Sequence, residues 1–196
     1  MNVAFLGDSL TQGWPGAAYF PLLRRRLPQH DLLNRGRAGD TVGDLLRRLQ
    51  ASTSLLVDIA FVWVGVNDAI GSAWDAREDD RGWSAQLARI AADYERLLDW
   101  TAVRASRIVC VRPLMLESEG TVWAARADAL GDAIAGLAGR RGTARTLDLR
   151  PAFVAAAGSG EGPFTIDGVH FTDAGAAVVA KAFAEVVAEL EGDTEA

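Results

Sequence analysis

At 196 residues, 49% hydrophobic and 23% charged, the chain has the size and composition of one globular domain with a conventional core. A net charge of -6 with no basic stripe excludes nucleic acid and stable membrane association as main partnerships. The single cysteine, Cys110, excludes an internal disulfide and a thiolate metal cluster. Its place in the apolar run Arg107–Val111 reads as a packed, inert thiol.

Strand-like and helical patterns alternate along the whole chain. Val3–Leu6 reads as a first strand, reached from Met1-Asn2 without a leader pattern, and no run has the length of a membrane span. The cytoplasm is the location this implies. A helix is expected over Tyr19–Leu27, a weaker strand over Asp31–Asn34 and a helix over Val42–Gln50. Ile59–Val64 is apolar throughout, as a strand covered on both faces should be. The charged stretch Ile70–Gly82 reads as a solvated flap, and Trp83–Val103 as the longest helix. Strands at Ile108–Val111 and Thr146–Leu149 flank a helix at Val122–Leu137, and Asp173–Leu190 closes the chain as a helix capped from Thr172-Asp173.

This alternation predicts an α/β fold: a five-stranded parallel sheet with helices on both faces, joined by right-handed crossovers. Residues 1–190 form a single domain, and the acidic tail 191–196 is expected to fray. Ligands of such sheets gather beyond the carboxyl ends of the strands. Ser9 follows the first strand, Gly39 the second and Asn67 the third, while Asp167 and His170 precede the last helix. Residues far apart in sequence therefore converge on one sheet edge.

A serine hydroxyl attacks only when a base takes its proton, and a histidine oriented by a carboxylate is the usual base at neutral pH. The chain has two histidines, and His170 follows Asp167 by one turn's spacing. Ser9 is thus the candidate nucleophile, His170 the base and Asp167 its orienting acid, with Asp8 tying the turn in a supporting role. The Ser9 and Gly39 backbone N–H groups and the Asn67 side-chain amide are candidate oxyanion donors. Each residue also has a plainer use: serine and asparagine cap helices and turns, and glycine turns loops. The other histidine, His30, lies in a polar turn and reads as exposed and without function. No second histidine or cysteine stands at metal-ligand spacing from His170, so neither metal nor cofactor is called for.

Four segments together resemble the sequence blocks of the SGNH, or GDSL-type, hydrolases. Gly7-Asp8-Ser9-Leu10 is similar to the nucleophile block and Gly39 to the glycine of the second. Gly65-Val66-Asn67-Asp68 resembles the third, and Asp167-Gly168-Val169-His170 the closing block. The order is the family's, and nearly the whole chain is spanned. The resemblance implies a three-layer α/β/α, flavodoxin-like fold, with Ser9, Gly39 and Asn67 as joint oxyanion donors. It also implies metal-free hydrolysis of a small-molecule ester or thioester. The Gly-x-Ser-x-Gly elbow of the α/β-hydrolases is absent.

Trp14, Trp74, Met115 and Trp123 are candidate walls of a substrate pocket, and Trp83 and Leu116 lie beside them in sequence. Core or rim packing accounts for any one of them equally well. Small, soluble esters are the expected substrates, with short acyl groups, and a carbohydrate deacetylase, a thioesterase or a lysophospholipase are the alternatives. A different class also fits Gly7–Thr11: a flavodoxin-like module cradling a phosphate or flavin, although the glycine-rich phosphate loops are missing. A non-catalytic interaction module is a third reading. The sequence carries no signal for oligomeric state.

Overall fold

The computed structural model describes residues 1–51, 55–74, 80–116, 118 and 120–195. Among these, five strands form one parallel sheet: β1 (Asn2–Gly7), β2 (Asp31–Gly36), β3 (Val57–Trp63), β4 (Ala105–Val111) and β5 (Ala144–Leu147). Their spatial order is β2-β1-β3-β4-β5. Gly7 stands level with Gly36 on one side and Trp63 on the other, so the first three strands end together at one edge.

Alternate side chains of each strand enter two separate cores, as the period of two requires. Val3, Phe5, Phe61 and Trp63 face one layer, which contains α2 (Phe20–Arg26) and α8 (Asp173–Glu195). Phe5 stacks on Phe61 with ring centroids 4.8 Å apart, and Phe183 of α8 closes over both. Ala4, Leu6, Ala60 and Val62 face the other layer, made by α3 (Val42–Gln50), α5 (Asp80–Ala102) and α6 (Val122–Gly139). Leu45, Tyr94, Leu97 and Ile134 fill that side without solvent contact. The expected three-layer α/β/α architecture is the one observed. Cys110 is buried in the second core, where burial raises its thiol to about 11.

Several local expectations need correction. The segment after Asn67 is not a loop: α4 (Val66–Trp74) begins one residue before it, and α5 starts at Asp80. Of the flap expected over Ile70–Gly82, residues 70–74 and 80–82 are therefore helical, and residues 75–79 lie outside the described residues. A further helix, α7 (Arg150–Gly158), starts with Pro151 in its first turn, where proline's missing N–H costs nothing. The last helix continues past Leu190 to Glu195, so the acidic segment expected to fray is helical. His30 is not exposed. It is buried, with Nε2 3.1 Å from the Gln29 amide and 3.5 Å from the Glu191 carboxylate at the far end of the chain.

Candidate active site

The turn after β1 is forced by what surrounds it. A Cβ on Gly7 would overlap the Thr11 hydroxyl and the Trp63 carbonyl, so only glycine lets the chain bend there. Asp8 then caps the short helix α1 (Ser9–Gln12), its Oδ1 accepting from Leu10 N–H at 3.0 Å. Ser9 is the first residue of α1, where the N–H has no intrahelical acceptor. Gly13 ends the helix in the left-handed conformation, returning the chain after a single turn.

The turn before α8 brings His170 to Ser9. His170 Nε2 lies 3.1 Å from Ser9 Oγ, and Nδ1 lies 2.7 Å from Asp167 Oδ2. The other carboxylate oxygen accepts from the backbone N–H groups of Val169 (3.0 Å) and His170 (2.7 Å). Burial alone would raise the Asp167 carboxyl, but the ring and these two N–H groups outweigh it and hold it below its ordinary value. An ionised carboxylate only accepts hydrogen bonds, so Nδ1 carries the ring proton and the Nε2 lone pair faces the Ser9 hydroxyl. Gly168, at φ 88°, permits the tight turn between them. From the other side, Ala17 N–H donates to Phe171 O at 2.8 Å and fixes the Trp14–Gly16 turn against the His170 segment.

Gly39 and Asn67 meet on the opposite flank. Asn67 Nδ2 donates to Asp40 O at 2.9 Å, which ties the start of α4 to the loop holding Gly39. Gly39 adopts φ 83°, and nothing lies within 4 Å of where a side chain would project, so a ligand can approach its backbone. Three acidic residues follow these positions in the chain or precede them by one: Asp8, Asp40 and Asp68, all buried. Arg48 donates to Asp40 through Nε and Nη2 at 2.8 and 2.6 Å, and its Nη2 also reaches the carbonyl of Arg35. Asp68 accepts from Val42 N–H at 3.0 Å and so secures the first turn of α3. Burial, reinforced by the neighbouring carboxylates, raises Asp8 to about 7, and burial raises Asp68 to about 6. Sequence reasoning missed Arg48, Asp40 and Asp68; the signal was an aspartate beside every candidate donor.

The aromatic candidates separate. Trp14 stands 66% exposed beside the Ser9 turn, and Met115 lines a groove near Gly168. Trp123 is half-buried in α6 and is not part of that groove. Trp83 packs on the α5/α6 core with the Arg126 guanidinium 4.9 Å over its ring. Trp74 ends α4, and its side chain lies outside the described residues.

With this geometry in hand, the chain can be set beside known proteins. Residues 5–178 match the GDSL-like Lipase/Acylhydrolase family. The chain belongs to that family. It is a carboxylic ester hydrolase of the SGNH/GDSL type. No curated protein matches it. Among solved structures it is similar to the acetyl xylan esterase AlAXEase, at 22% identity and a TM-score of 0.77, covering 95% of this chain and 100% of that one. An acetylxylan esterase from Geobacillus stearothermophilus aligns at 21% identity and TM-score 0.74, over 93% and 91% of the two chains. A lipolytic G-D-S-L protein from Veillonella parvula DSM 2008 gives 14% identity and TM-score 0.75, over 95% and 97%. These likenesses establish a shared fold. No helix among the described residues is long and apolar enough to cross a membrane.

Proposed function

We propose that this esterase hydrolyses short-chain carboxylic esters, acetyl esters foremost, through an acyl-enzyme on Ser9. The observation that carries the reading is the 3.1 Å approach of His170 Nε2 to Ser9 Oγ, with Asp167 on the other ring nitrogen. His170 takes the hydroxyl proton as Oγ attacks the acyl carbon, and the carbonyl electrons move to oxygen. The Ser9 and Gly39 N–H groups and the second N–H of the Asn67 amide meet that oxyanion. Asn67 spends its first N–H on Asp40 O, and this holds the amide in place before any substrate arrives.

As the tetrahedral adduct collapses, His170 returns the proton to the leaving alcohol. Water then enters, gives a proton to His170 and repeats the sequence to release the acid. Asp167 stays ionised throughout and stabilises the imidazolium. Trp14 and Met115 are the candidate walls for the bound ester. A carbohydrate deacetylase is the second reading, favoured by the fold shared with two acetyl xylan esterases.

The test is turnover of p-nitrophenyl esters from acetyl to palmitoyl by the parent and by Ser9→Ala. The expected result is turnover that peaks at the short acyl chains and falls about 10⁶-fold in kcat in the variant. Equal activity in the two proteins excludes Ser9 as nucleophile. A peak at palmitoyl excludes the short-chain preference.

A further inference from the structure

The three proposed oxyanion donors stand on three neighbouring strand ends: Ser9 after β1, Gly39 after β2 and Asn67 after β3, with β1 between the other two. Donors serve an oxyanion only when they are fixed before it forms, so these three ends must be held in register with one another. One side chain reaches across them. Arg48 lies in the last turn of α3, and a helical side chain leans back towards the helix N-terminus. Its guanidinium therefore comes to rest on the carboxyl ends of β1 and β2.

Nε and Nη2 both donate to Asp40 Oδ2, at 2.8 and 2.6 Å. Nη2 also donates to the carbonyl of Arg35 in β2 at 3.0 Å and to that of Gly7, the last residue of β1, at 3.3 Å. The Gly7 carbonyl takes a second bond from Arg37 N–H at 3.1 Å, so the start of the Gly39 loop and the guanidinium share one acceptor. Asp40 carries the connection on to the donors. It follows Gly39 directly, and its own carbonyl accepts from Asn67 Nδ2 at 2.9 Å, across the end of β1. The Asp40 side chain is only 7% exposed. Without the guanidinium its carboxylate would be left buried and unpaired, and would take a proton or turn towards water. Either change shifts the one residue that adjoins Gly39 and anchors the Asn67 amide.

We propose that Arg48 is the positioning residue of the oxyanion donors. Its planar fork keeps Gly7, Arg35 and Asp40 in register, and through Asp40 it aims the Gly39 N–H and the Asn67 amide. The inference rests on the hydrolytic reading of Ser9 and on that donor set. A positive charge alone does not suffice, because the ammonium of lysine, on its flexible stem, lacks the rigid fork that spreads donors over fixed acceptors. Arg47, the neighbouring residue, supplies the control: its side chain is 71% exposed and pairs with Asp44 within α3.

The test compares the parent with Arg48→Met, Arg48→Lys and Arg47→Met, each below its melting transition, on p-nitrophenyl acetate and on the inhibitor trifluoroacetone. Ser9 Oγ adds to the ketone carbon, its proton passes to His170, and the ketone oxygen becomes an oxyanion on the donors; the Ki therefore reads the donors in a stable adduct. In Arg48→Met, kcat and kcat/KM should fall together about 10²-fold with KM unchanged, and the Ki should rise by a similar factor. Arg48→Lys should fold like the parent and still lose about tenfold in kcat, while Arg47→Met should match the parent. The inference is overturned if Arg48→Met lowers only the melting temperature, if its loss lies in KM, or if turnover falls without the Ki rising. Full activity in Arg48→Lys also overturns it, and that variant decides the matter should Arg48→Met not fold. An equal loss in Arg47→Met assigns the effect to α3 at large and overturns it as well. If the parent itself shows no Ser9-dependent turnover, the hydrolytic reading falls; an active parent with unaffected Arg48 variants removes this role alone.

Discussion

The two flanks of the Ser9 hydroxyl are built on different principles. The Gly39–Asn67 flank is assembled from the ends of two strands, β2 and β3, and depends on long-range ties: Asn67 to Asp40, Asp68 to Val42 and Arg48 to the carbonyl of Arg35. Its carboxylates are buried, and its helix α3 opens with a capping box between Thr41 and Asp44. The Asp167–His170 flank is a single turn that holds its own shape through bonds from one carboxylate to the ring and backbone of residues two and three positions on. The Asp167 side chain is 46% exposed, and the turn is further tied by Gly168 N–H to the buried Thr165 hydroxyl at 3.0 Å. The proposed donor set, which must be rigid before substrate arrives, is embedded in the scaffold. The proposed proton-transfer group is carried on a turn shaped largely by its own carboxylate.

The largest expected effect that tests this contrast comes from Asp167→Asn. The amide oxygen can still accept from Val169 and His170 N–H, so the turn should keep its shape and the protein its melting temperature. The amide N–H₂ then faces Nδ1 and imposes the wrong ring tautomer, and kcat should fall about 10⁴-fold. A loss of folding in place of turnover would mean that the turn is not self-contained.

On the other flank, Asn67→Ala removes a proposed donor together with the tie to Asp40. Turnover should fall about 10²–10³-fold with KM little changed, and stability should fall by about 1 kcal/mol as the Gly39 loop loses a hydrogen bond. Steady-state kinetics and urea unfolding of the same preparation read both. A change confined to KM would remove Asn67 from the donor set.

The smallest effect concerns charge beside the proposed nucleophile. The Asp8 carboxyl titrates near 7 in the folded chain and near 3.8 when free. Between those values the unfolded chain binds fewer protons than the folded one, so stability falls as pH rises from about 4 to about 7 and then levels. Asp68, raised to about 6, adds to the same trend. Asp8→Asn keeps an oxygen to cap Leu10 N–H and removes the ionisation. Its melting temperature should therefore match the parent at pH 4 and exceed it by a few degrees at pH 8. Equal melting temperatures at pH 8 would place no buried charge penalty at this position.

Much of this was legible in the sequence because it is local. The continuous apolar runs Val3–Leu6 and Ile59–Val64, and the blocks around Ser9, Gly39, Asn67 and His170, need only near neighbours to be read. The misses share a physical cause. Val66–Trp74 contains Asn67, Asp68, Gly71 and Ser72, residues that favour turns, and tertiary packing of Val66 and Ile70 overrides them. Pro151 reads as a break until its place in the first turn of α7 is known. His30 sits among Pro28, Gln29 and Asp31, and its distant partners, Met1 N and the Glu191 carboxylate of α8, are beyond the reach of any local pattern. Arg48 looks like one more surface arginine on an amphipathic helix, until β2 brings Asp40 over it.

The bond between Ser9 and His170 spans 161 positions and closes only when α8 lies against the sheet through Val179, Phe183 and Val187. Until then the serine is an ordinary alcohol without a base. On the proposed mechanism, turnover therefore reports that this packing is complete.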